Sequence, residues 1–241
     1  MQQPIGNGKL DKPTYSRQVA RLVRQRIRSG KLRGGDRISE ASLADECGIS
    51  RAPVREALYQ LETEGLLMSH PKRGKCVTLL TGESIRHRYE LCGLLEGAAA
   101  AEVALRHADG PWPDLEDVLE RMRQCVLDNA PLEVHAELGT LFHETFLSRA
   151  SNPLVVSIAR SSCRVISKYL MFQQWQNLYT TAELLQRHTD IYAALRTRDA
   201  QAIERAVRLH YAESAERLAA ICPLPRSTAK GARRRAHFPT E

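Results

Sequence analysis

Apolar residues near the start of the chain recur three or four positions apart, which is the spacing of one face of a helix. The pattern begins after Tyr15 and stops near Gly30, so it predicts an amphipathic helix between these two residues. Its apolar face is formed by Val19, Leu22, Val23 and Ile27. The opposite face carries arginines, for which a solvated surface and contact with phosphate groups are equally good interpretations.

Two shorter helices joined by a tight turn are predicted between Ser39 and Gly65. Ser39 is a good cap for the first helix, and Gly48 suits the turn because glycine has no Cβ to obstruct the backbone. The second helix is predicted to be capped by Ser50 and to end at Gly65, since glycine is typical of helix C-termini. Its apolar positions also have helical spacing: Val54, Ala57, Leu58 and Leu61. This arrangement is a helix-turn-helix.

The second of these helices has hydrogen-bond donors near its N-terminus. Ser50, Arg51 and Arg55 lie off the apolar stripe, and the positive end of the helix dipole attracts phosphate. An arginine in this position can hold a phosphate or bridge the O6 and N7 atoms of guanine. These residues indicate a DNA-binding helix, and a helical hairpin with solvated arginines is the alternative.

A β-hairpin is predicted directly after the helix-turn-helix. Two short apolar runs, residues 66–68 and 76–79, flank a polar segment at residues 70–75, as two strands flank a turn. Lys72 and Arg73 make the tip of this hairpin basic. A hairpin in this place is a wing, so the first domain is predicted to be a winged helix-turn-helix.

The rest of the chain is predicted to be helical. Six segments with helical spacing are separated by residues that cap or end helices, and no convincing strand lies among them. The predicted helices span residues 81–107, 114–129, 131–151, 153–175, 181–196 and 199–221. The fold class is therefore mainly α, with the winged helix-turn-helix at residues 14–80 and an all-α six-helix bundle at residues 81–222. Residues 223–241 form a basic tail that we expect to be disordered.

Charge is distributed unevenly between these parts. Residues 1–75 hold 15 basic and 8 acidic residues, residues 76–225 hold 15 and 19, and residues 226–241 hold 5 and 1. A basic first domain joined to a mildly acidic second one fits a nucleic-acid-binding module attached to a module with another role. The chain has neither a run of about 18 apolar residues nor an apolar signal core, so we expect a cytoplasmic protein without a membrane partner.

Cysteines and histidines are the residue types that could carry chemistry. The six cysteines of the chain are widely spread without a CxxC pair, so we expect reduced thiols rather than a disulfide scaffold or a cysteine zinc site. His143, His188 and His210 each lie among apolar residues at helical spacing, which can direct all three into the bundle. Imidazoles that converge suit zinc, nickel and related ions, whereas a histidine that stays alone in such a setting is an ordinary core residue.

The segment GDRISEASLADECGISRAPVREALYQLETEGLLMSHPKRGKCV resembles the winged helix-turn-helix of the GntR superfamily of bacterial transcription regulators. In that family, residues of the recognition helix and the wing contact operator DNA. By position, the resemblance assigns these contacts to Ser50, Arg51, Ala52, Pro53, Arg55, His70 and Gly74. One departure is Ala41, where some members carry an operator-contacting arginine, and this departure bears on which bases are read.

The helical part is similar to the ligand-sensing C-terminal domain called FCD. The similar segments are YELCGLLEGAAA, LFHETFLSRASNPLV and RHTDIYAALRTRDAQAIERAVRLHYAES. In many FCD proteins an aspartate and three histidines hold a divalent metal to which a small carboxylate ligand can bind. His143, His188 and His210 match these histidines, so the resemblance implies zinc or nickel as a cofactor.

Two departures from the family pattern fall in the implied pocket. The position of the aspartate, four residues before His143, is Gly139, and Cys92 stands where the family often has an arginine that faces the ligand. His135 is on the same helix face as His143 but about 12 Å away along the axis, too far to replace the aspartate easily. The predicted effector pocket contains Cys92, Gly139, Arg164, Tyr169 and Gln173.

We therefore expect a transcription regulator, not an enzyme, that binds double-stranded operator DNA and responds to a small-molecule effector. A homodimer is expected because one head makes few base contacts, whereas a two-fold pair reads two half-sites. Two alternatives stay open: a regulator for which the metal ion itself is the effector, and a zinc-dependent hydrolase. No motif places an acid or a base near the histidines, which argues against the hydrolase.

Overall fold

The computed structural model of the protein describes four stretches of the chain: residues 14–106, 112–165, 169–175 and 178–222. The side chains of residues 163–165 and 175 lie outside the described part, as does the predicted tail at residues 223–241. The described chain is mainly helical with one two-stranded antiparallel sheet, which confirms the predicted fold class. No helix within these stretches is both long enough and apolar enough to cross a membrane.

The first domain contains the predicted helix-turn-helix and wing. Its elements are α1 (Tyr15–Arg28), α2 (Glu40–Cys47), α3 (Arg51–Thr63), β1 (Leu67–His70) and β2 (Gly74–Val77). The hydroxyl of Ser39 caps α2 by accepting a hydrogen bond from the backbone nitrogen of Ser42 at 3.3 Å. Gly48 lies in the turn with a φ of 64°. Ser50 precedes α3, but its side chain makes no capping hydrogen bond, so that detail of the prediction is wrong.

The wing is attached to the helices on two sides. Its strands pair in antiparallel register, with His70 opposite Gly74 at the turn. The segment that leads into α2 lies along the other edge of β2, where the backbone nitrogen of Ile38 donates to the carbonyl of Lys75 at 2.8 Å. Apolar side chains from the three helices and the hairpin form one core, so the wing has a fixed place beside the helix-turn-helix.

The second domain is a helical bundle, as predicted. Its described helices are α4 (Gly82–Arg106), α5 (Trp112–Leu127), α6 (Leu132–Leu147), α7 (Pro153–Val165), α8 (Phe172–Trp175), α9 (Thr181–Thr197) and α10 (Ala200–Ile221). The predicted fourth helix, residues 153–175, is wrong as one continuous element. The chain turns at Met171, and the four-residue α8 follows as a separate helix.

The helices α4 and α10 pack closely in the bundle. A Cβ added at Gly93 of α4 would lie 3.1 Å from the Cα of Arg208, and one added at Gly97 would lie 3.3 Å from the Cα of Glu204. Because glycine has no side chain, both positions allow the backbones of the two helices to approach closely. Other apolar side chains of these helices contribute to the core that they share with α5, α6 and α9.

The short helix α8 contacts the first domain. The guanidinium of Arg28, at the end of α1, lies 4.1 Å from the centroid of the Phe172 ring. The backbone oxygen of Arg28 accepts a hydrogen bond from Nε2 of Gln173 at 2.8 Å. Tyr169 and Leu170 pack against the core of the first domain, so this part of the bundle joins the two domains.

Candidate functional site

The outer face of α3 carries the residues predicted to contact DNA. Its apolar stripe is buried in the core of the first domain, and this orientation turns Arg51, Ala52 and Arg55 outward, where all three are exposed. Ser50 is also exposed, and Pro53 is half-buried. The N-terminal part of α3 therefore presents polar donors and backbone to the surroundings.

Arg55 of α3 and Arg24 of α1 are each held by an ion pair. Nε of Arg55 lies 3.1 Å from a carboxylate oxygen of Glu40 in α2, and the side chain of Arg55 is nevertheless 70% exposed. Arg24 of α1 pairs with Glu64 at 2.6 Å, so its charge is neutralised within the domain. Of these two, only Arg55 has its guanidinium largely accessible to a ligand.

The tip of the wing is exposed and basic. The predicted wing contacts all lie at the surface: His70, Lys72, Arg73 and Gly74. The ammonium group of Lys75, in β2, lies 5.4 Å from the centroid of the Tyr59 ring of α3, so the wing and α3 are neighbours. The winged helix-turn-helix thus has an exposed helix and an exposed hairpin beside each other.

A cavity of ≈ 110 Å³ inside the second domain is lined by the three predicted histidines. His143 comes from α6, His188 from α9 and His210 from α10. One ring nitrogen from each histidine lies within 4.8 Å of those of the other two. The three side chains therefore converge, which their spacing in the sequence could not establish.

Two of the three rings have their protons placed by hydrogen bonds. Nδ1 of His143 lies 2.8 Å from Oε2 of Glu96, and Nδ1 of His188 lies 2.6 Å from the backbone oxygen of Leu184. A carboxylate and a carbonyl oxygen accept hydrogen bonds, so Nδ1 is the donor in both rings and Nε2 keeps its lone pair. Nδ1 of His210 is buried and has no hydrogen-bond partner among the described residues.

Burial keeps two of these imidazoles neutral. It lowers the pKa of His188 to about 3, with a smaller contribution from the neighbouring His143. The same two causes, burial first, lower the pKa of His210 well below its ordinary value. Because a neutral imidazole is the form that binds a metal, protons do not compete for these two rings near pH 7.

Gly139 lies against the ring of His188. A Cβ added at Gly139 would lie 3.0 Å from Nε2 of His188 and 3.1 Å from its Cε1, closer than Cβ atoms normally approach another group. The ring of His188 therefore occupies space that any other residue at position 139 would need. Gly139 also lines the cavity.

Other residues of the predicted effector pocket lie elsewhere. Tyr169 and Gln173 do not line the cavity, because Tyr169 packs against the core of the first domain and Gln173 bonds to Arg28. Cys92 is buried outside the cavity lining. It is also disulfide-bonded, which corrects the expectation of a reduced thiol at this position. The side chain of Arg164 lies outside the described residues.

The cavity wall contains charged groups that the sequence analysis missed. Glu96 of α4 is 3% exposed and bonds to His143. Arg160 forms an ion pair with Glu144, and Arg187 forms one with Glu213. A signal for Glu96 existed in the sequence: it is the single acid in the apolar run LLEGAAAA, and an acid on a core-facing helix side requires a buried partner.

The histidine cluster fits a divalent metal ion. Zinc binds imidazole nitrogens at about 2.0–2.1 Å, so tetrahedral ligands lie about 3.4 Å apart. Nitrogen atoms within 4.8 Å of one another reach this geometry with side-chain shifts of about 1 Å or less each. Three neutral imidazoles leave coordination positions for water or for a ligand oxygen.

Two family profiles match the chain. The profile of the bacterial regulatory proteins, gntR family, matches residues 15–77, and the FCD domain profile matches residues 87–213. The first match covers the winged helix-turn-helix, and the second covers the bundle with all three histidines.

Named proteins are similar to the chain over most of their length. The HTH-type transcriptional repressor RspR of Escherichia coli (strain K12) is 26% identical over 201 residues, which cover 83% of this chain and 87% of RspR. The uncharacterized HTH-type transcriptional regulator YdhC of Bacillus subtilis (strain 168) is 27% identical over 212 residues, 87% of this chain and 94% of YdhC.

A solved structure shares the fold. The putative transcriptional regulator GntR from Rhodococcus sp. RHA1 superimposes with a TM-score of 0.62 at 22% identity, covering 86% of this chain and 98% of that one. Since the FCD profile alone spans more than half of the chain and the gntR profile spans the first domain, the chain belongs to the gntR family of bacterial regulatory proteins and is a DNA-binding transcription regulator with an FCD domain, not an enzyme.

Proposed function

We propose that the cavity of the FCD domain senses a small carboxylate effector through a divalent metal ion, zinc or nickel, and that occupancy changes the affinity for operator DNA. The observation that supports this proposal is the convergence of three imidazole nitrogens within 4.8 Å in a cavity. His143, His188 and His210 would hold the ion. A bound ion supplies open positions to which a ligand oxygen can bind.

A second candidate effector is the metal ion itself. The two arginines of the cavity wall, Arg160 and Arg187, are already paired with Glu144 and Glu213. Position 92, where the family often has an arginine that faces the ligand, is a buried cysteine. The described cavity thus offers three imidazoles that can bind a metal, whereas its two arginines already have acidic partners and are less suited to bind an organic acid. This difference favours the metal ion as the effector.

For DNA, we propose that α3 enters the major groove and the wing holds the flanking backbone. Arg51 and Arg55 would read bases or hold phosphates near the N-terminus of α3, with Ser50, Ala52 and Pro53 close to the same strand. The wing contacts would be His70, Lys72, Arg73 and Gly74. This arrangement is supported by the surface position of these residues, all exposed except the half-buried Pro53, on one small basic domain. We infer that the protein works in the cytoplasm, where bacterial DNA lies.

We also propose that a second copy of the chain covers one face of α4. Leu91, Leu94 and Leu105 are exposed on this helix at coiled-coil spacing. Leu154 and Ile158 are exposed on α7, which packs beside α4. A two-fold pair formed here would bury these side chains and present two heads to two half-sites.

Sedimentation velocity tests the proposed dimer. We expect a dimer at micromolar concentration for the wild type and a monomer for Leu94→Glu, with Leu127→Glu, at an exposed apolar position of α5, as the matched control. A monomeric wild type would refute the dimer, and a dimeric Leu94→Glu variant would refute this interface.

The proposed sensing function is tested by operator binding. Bound genomic fragments are first selected with the metal-free protein to obtain an operator, and fluorescence anisotropy then gives affinity without metal, with zinc or nickel, and with metal plus small carboxylates. An effect that needs both metal and carboxylate supports the leading proposal. An effect of metal alone supports the second candidate, and no effect of either refutes both.

A further inference from the structure

Glu96 is the one buried acid among the described residues. It comes from α4, whereas the three histidines of the cavity come from α6, α9 and α10. Its Oε2 lies 2.8 Å from Nδ1 of His143, and the hydroxyl of Tyr211 lies 3.5 Å from the same nitrogen. A carboxylate placed in a protein interior needs such a donor to replace the water that it has lost.

The position of Glu96 is fixed by the packing of two helices. Gly93 and Gly97 flank it in α4, and both lie against the backbone of α10. Tyr211 belongs to α10 as well, and its ring packs edge-on against Tyr89 at 5.9 Å between centroids. The carboxylate is therefore held between α6 and α10 rather than carried on a mobile surface side chain.

The hydrogen bond to Glu96 decides which nitrogen of His143 is available. Because the carboxylate accepts, Nδ1 of His143 carries the proton and Nε2 presents its lone pair. Without this acceptor both tautomers of the neutral ring become accessible, and the tautomer with a proton on Nε2 has no lone pair there for a metal. A carboxylate behind a histidine also raises the basicity of the ligand nitrogen.

We propose that Glu96 is a positioning residue of the histidine cluster, which holds His143 in the Nδ1–H tautomer and supplies, through that ring, the negative charge that Gly139 does not. This inference rests on the proposed metal site. The charge argument follows from the chemistry of the donor set, since three neutral imidazoles leave both charges of a divalent ion uncompensated. Glu96 places one charge a single imidazole away from the ion, where little water screens it.

The tautomer is measured without metal or DNA. Full-length protein with ¹⁵N-labelled histidine is stripped of metal, and long-range ¹H–¹⁵N correlations are recorded at mildly alkaline pH. We expect His143 of the wild type to be a single Nδ1–H species and the Glu96→Leu variant to show the Nε2–H species. Glu90→Leu is the matched control, because Glu90 is an exposed acid on the same helix, and it should resemble the wild type.

Zinc affinity is measured on the same samples by competition with a chromophoric chelator. We expect Glu96→Leu to bind zinc about 10–100-fold more weakly than the wild type, the usual effect of removing a partner behind a metal-binding histidine. Glu96→Gln should also lose affinity, since it keeps the shape of the side chain without its charge. If Glu96→Leu does not give a cooperative unfolding transition, Glu96→Gln decides the outcome.

Two results would overturn the inference. One is a wild type in which Nε2 of His143 carries the proton. The other is a folded Glu96 variant with unchanged tautomer and unchanged zinc affinity. Neither result depends on operator binding. If metal and carboxylate leave the operator affinity of the wild type unchanged, the proposed function is refuted, but the tautomer measurement still tests the role of Glu96.

Discussion

The DNA-binding head and the histidine cavity use nitrogen-bearing side chains in opposite ways. In the head these side chains are exposed and come from one short stretch between Ser50 and Gly74, so their charge is retained at little cost. In the cavity they are His143, His188 and His210, which come from three different helices, and burial favours the uncharged form. Exposure thus decides whether such a side chain acts through its charge or through a lone pair.

The largest expected effect tests whether the buried histidines act through their nitrogen lone pairs. His188→Ala removes a ligand nitrogen, so zinc affinity should fall by more than the roughly 10–100-fold that loss of an outer partner costs. His135→Ala is the matched control, because His135 is a buried histidine that lines the cavity outside the cluster. Isothermal titration on the two variants gives the answer, and equal affinities would mean that the histidines are core residues.

The next effect concerns pH and metal-free stability. The folded pKa of His188 is about 3, whereas an unfolded chain titrates near 6.5, so the unfolded state binds more protons between these values. Stability should therefore fall as pH drops through this window, by up to about 1.4 kcal/mol per pH unit for this group, and it should be insensitive to His188 above it. His210, whose pKa is also lowered, acts in the same direction.

Urea unfolding between pH 7 and about pH 4 measures this slope. We expect His188→Gln to reduce it, and His87→Gln, at an exposed histidine of α4, to leave it as in the wild type. A slope that is the same in all three proteins would contradict burial of a neutral His188.

In the DNA-binding head, the next effect concerns the affinity for operator DNA. Arg55→Ala should cost about 1–3 kcal/mol of specific operator binding if the guanidinium reads a base edge. Lys72→Ala should instead weaken operator and random DNA about equally and reduce the salt dependence by about one ion. Anisotropy titrations on both DNAs at several salt concentrations separate the two, and unchanged operator affinity for Arg55→Ala would count against α3 as the reading helix.

The smallest expected effect probes the fit between Gly139 and His188. Gly139→Ala should weaken zinc binding by about tenfold, or 1.4 kcal/mol, because the new Cβ would lie 3.0 Å from Nε2 of His188. Gly139→Asp meets the same obstruction but adds a charged oxygen, so it should bind zinc more tightly than the alanine variant. Alanine stabilises a helix by up to about 1 kcal/mol relative to glycine, so the Gly139→Ala variant should keep its thermal stability. If its zinc affinity falls while its thermal stability is retained, the loss is due to the contact with the ring of His188.

The two regions also differ in how much of them was predictable. The helix-turn-helix and wing depend on local rules, such as the cap at Ser39 and the turn at Gly48, so their elements could be identified from a short segment. In the bundle, helical spacing predicted the helices and the inward direction of the histidines. Their convergence depends on how α6, α9 and α10 pack, and that was implied by resemblance rather than by spacing.

The errors have physical causes of the same kind. Tyr169 and Gln173 were predicted to lie in the pocket, but both contact the first domain. Gln173 bonds to Arg28, 145 positions earlier in the chain, and apolar spacing within one segment does not reveal such a contact. Glu96 was overlooked because its partner, His143, lies 47 positions away. A search for single acids within apolar helical runs would have found it, although not its partner.

The contact between Gly139 and His188 makes the two positions dependent on each other during evolution. Any side chain acquired at position 139 meets a ring atom at 3.0 Å, so an acid gained there requires that ring to shift by a few tenths of an ångström. A substitution at position 188 frees the space but removes a nitrogen from the cluster. The effect of a change at position 139 therefore depends on which residue occupies position 188.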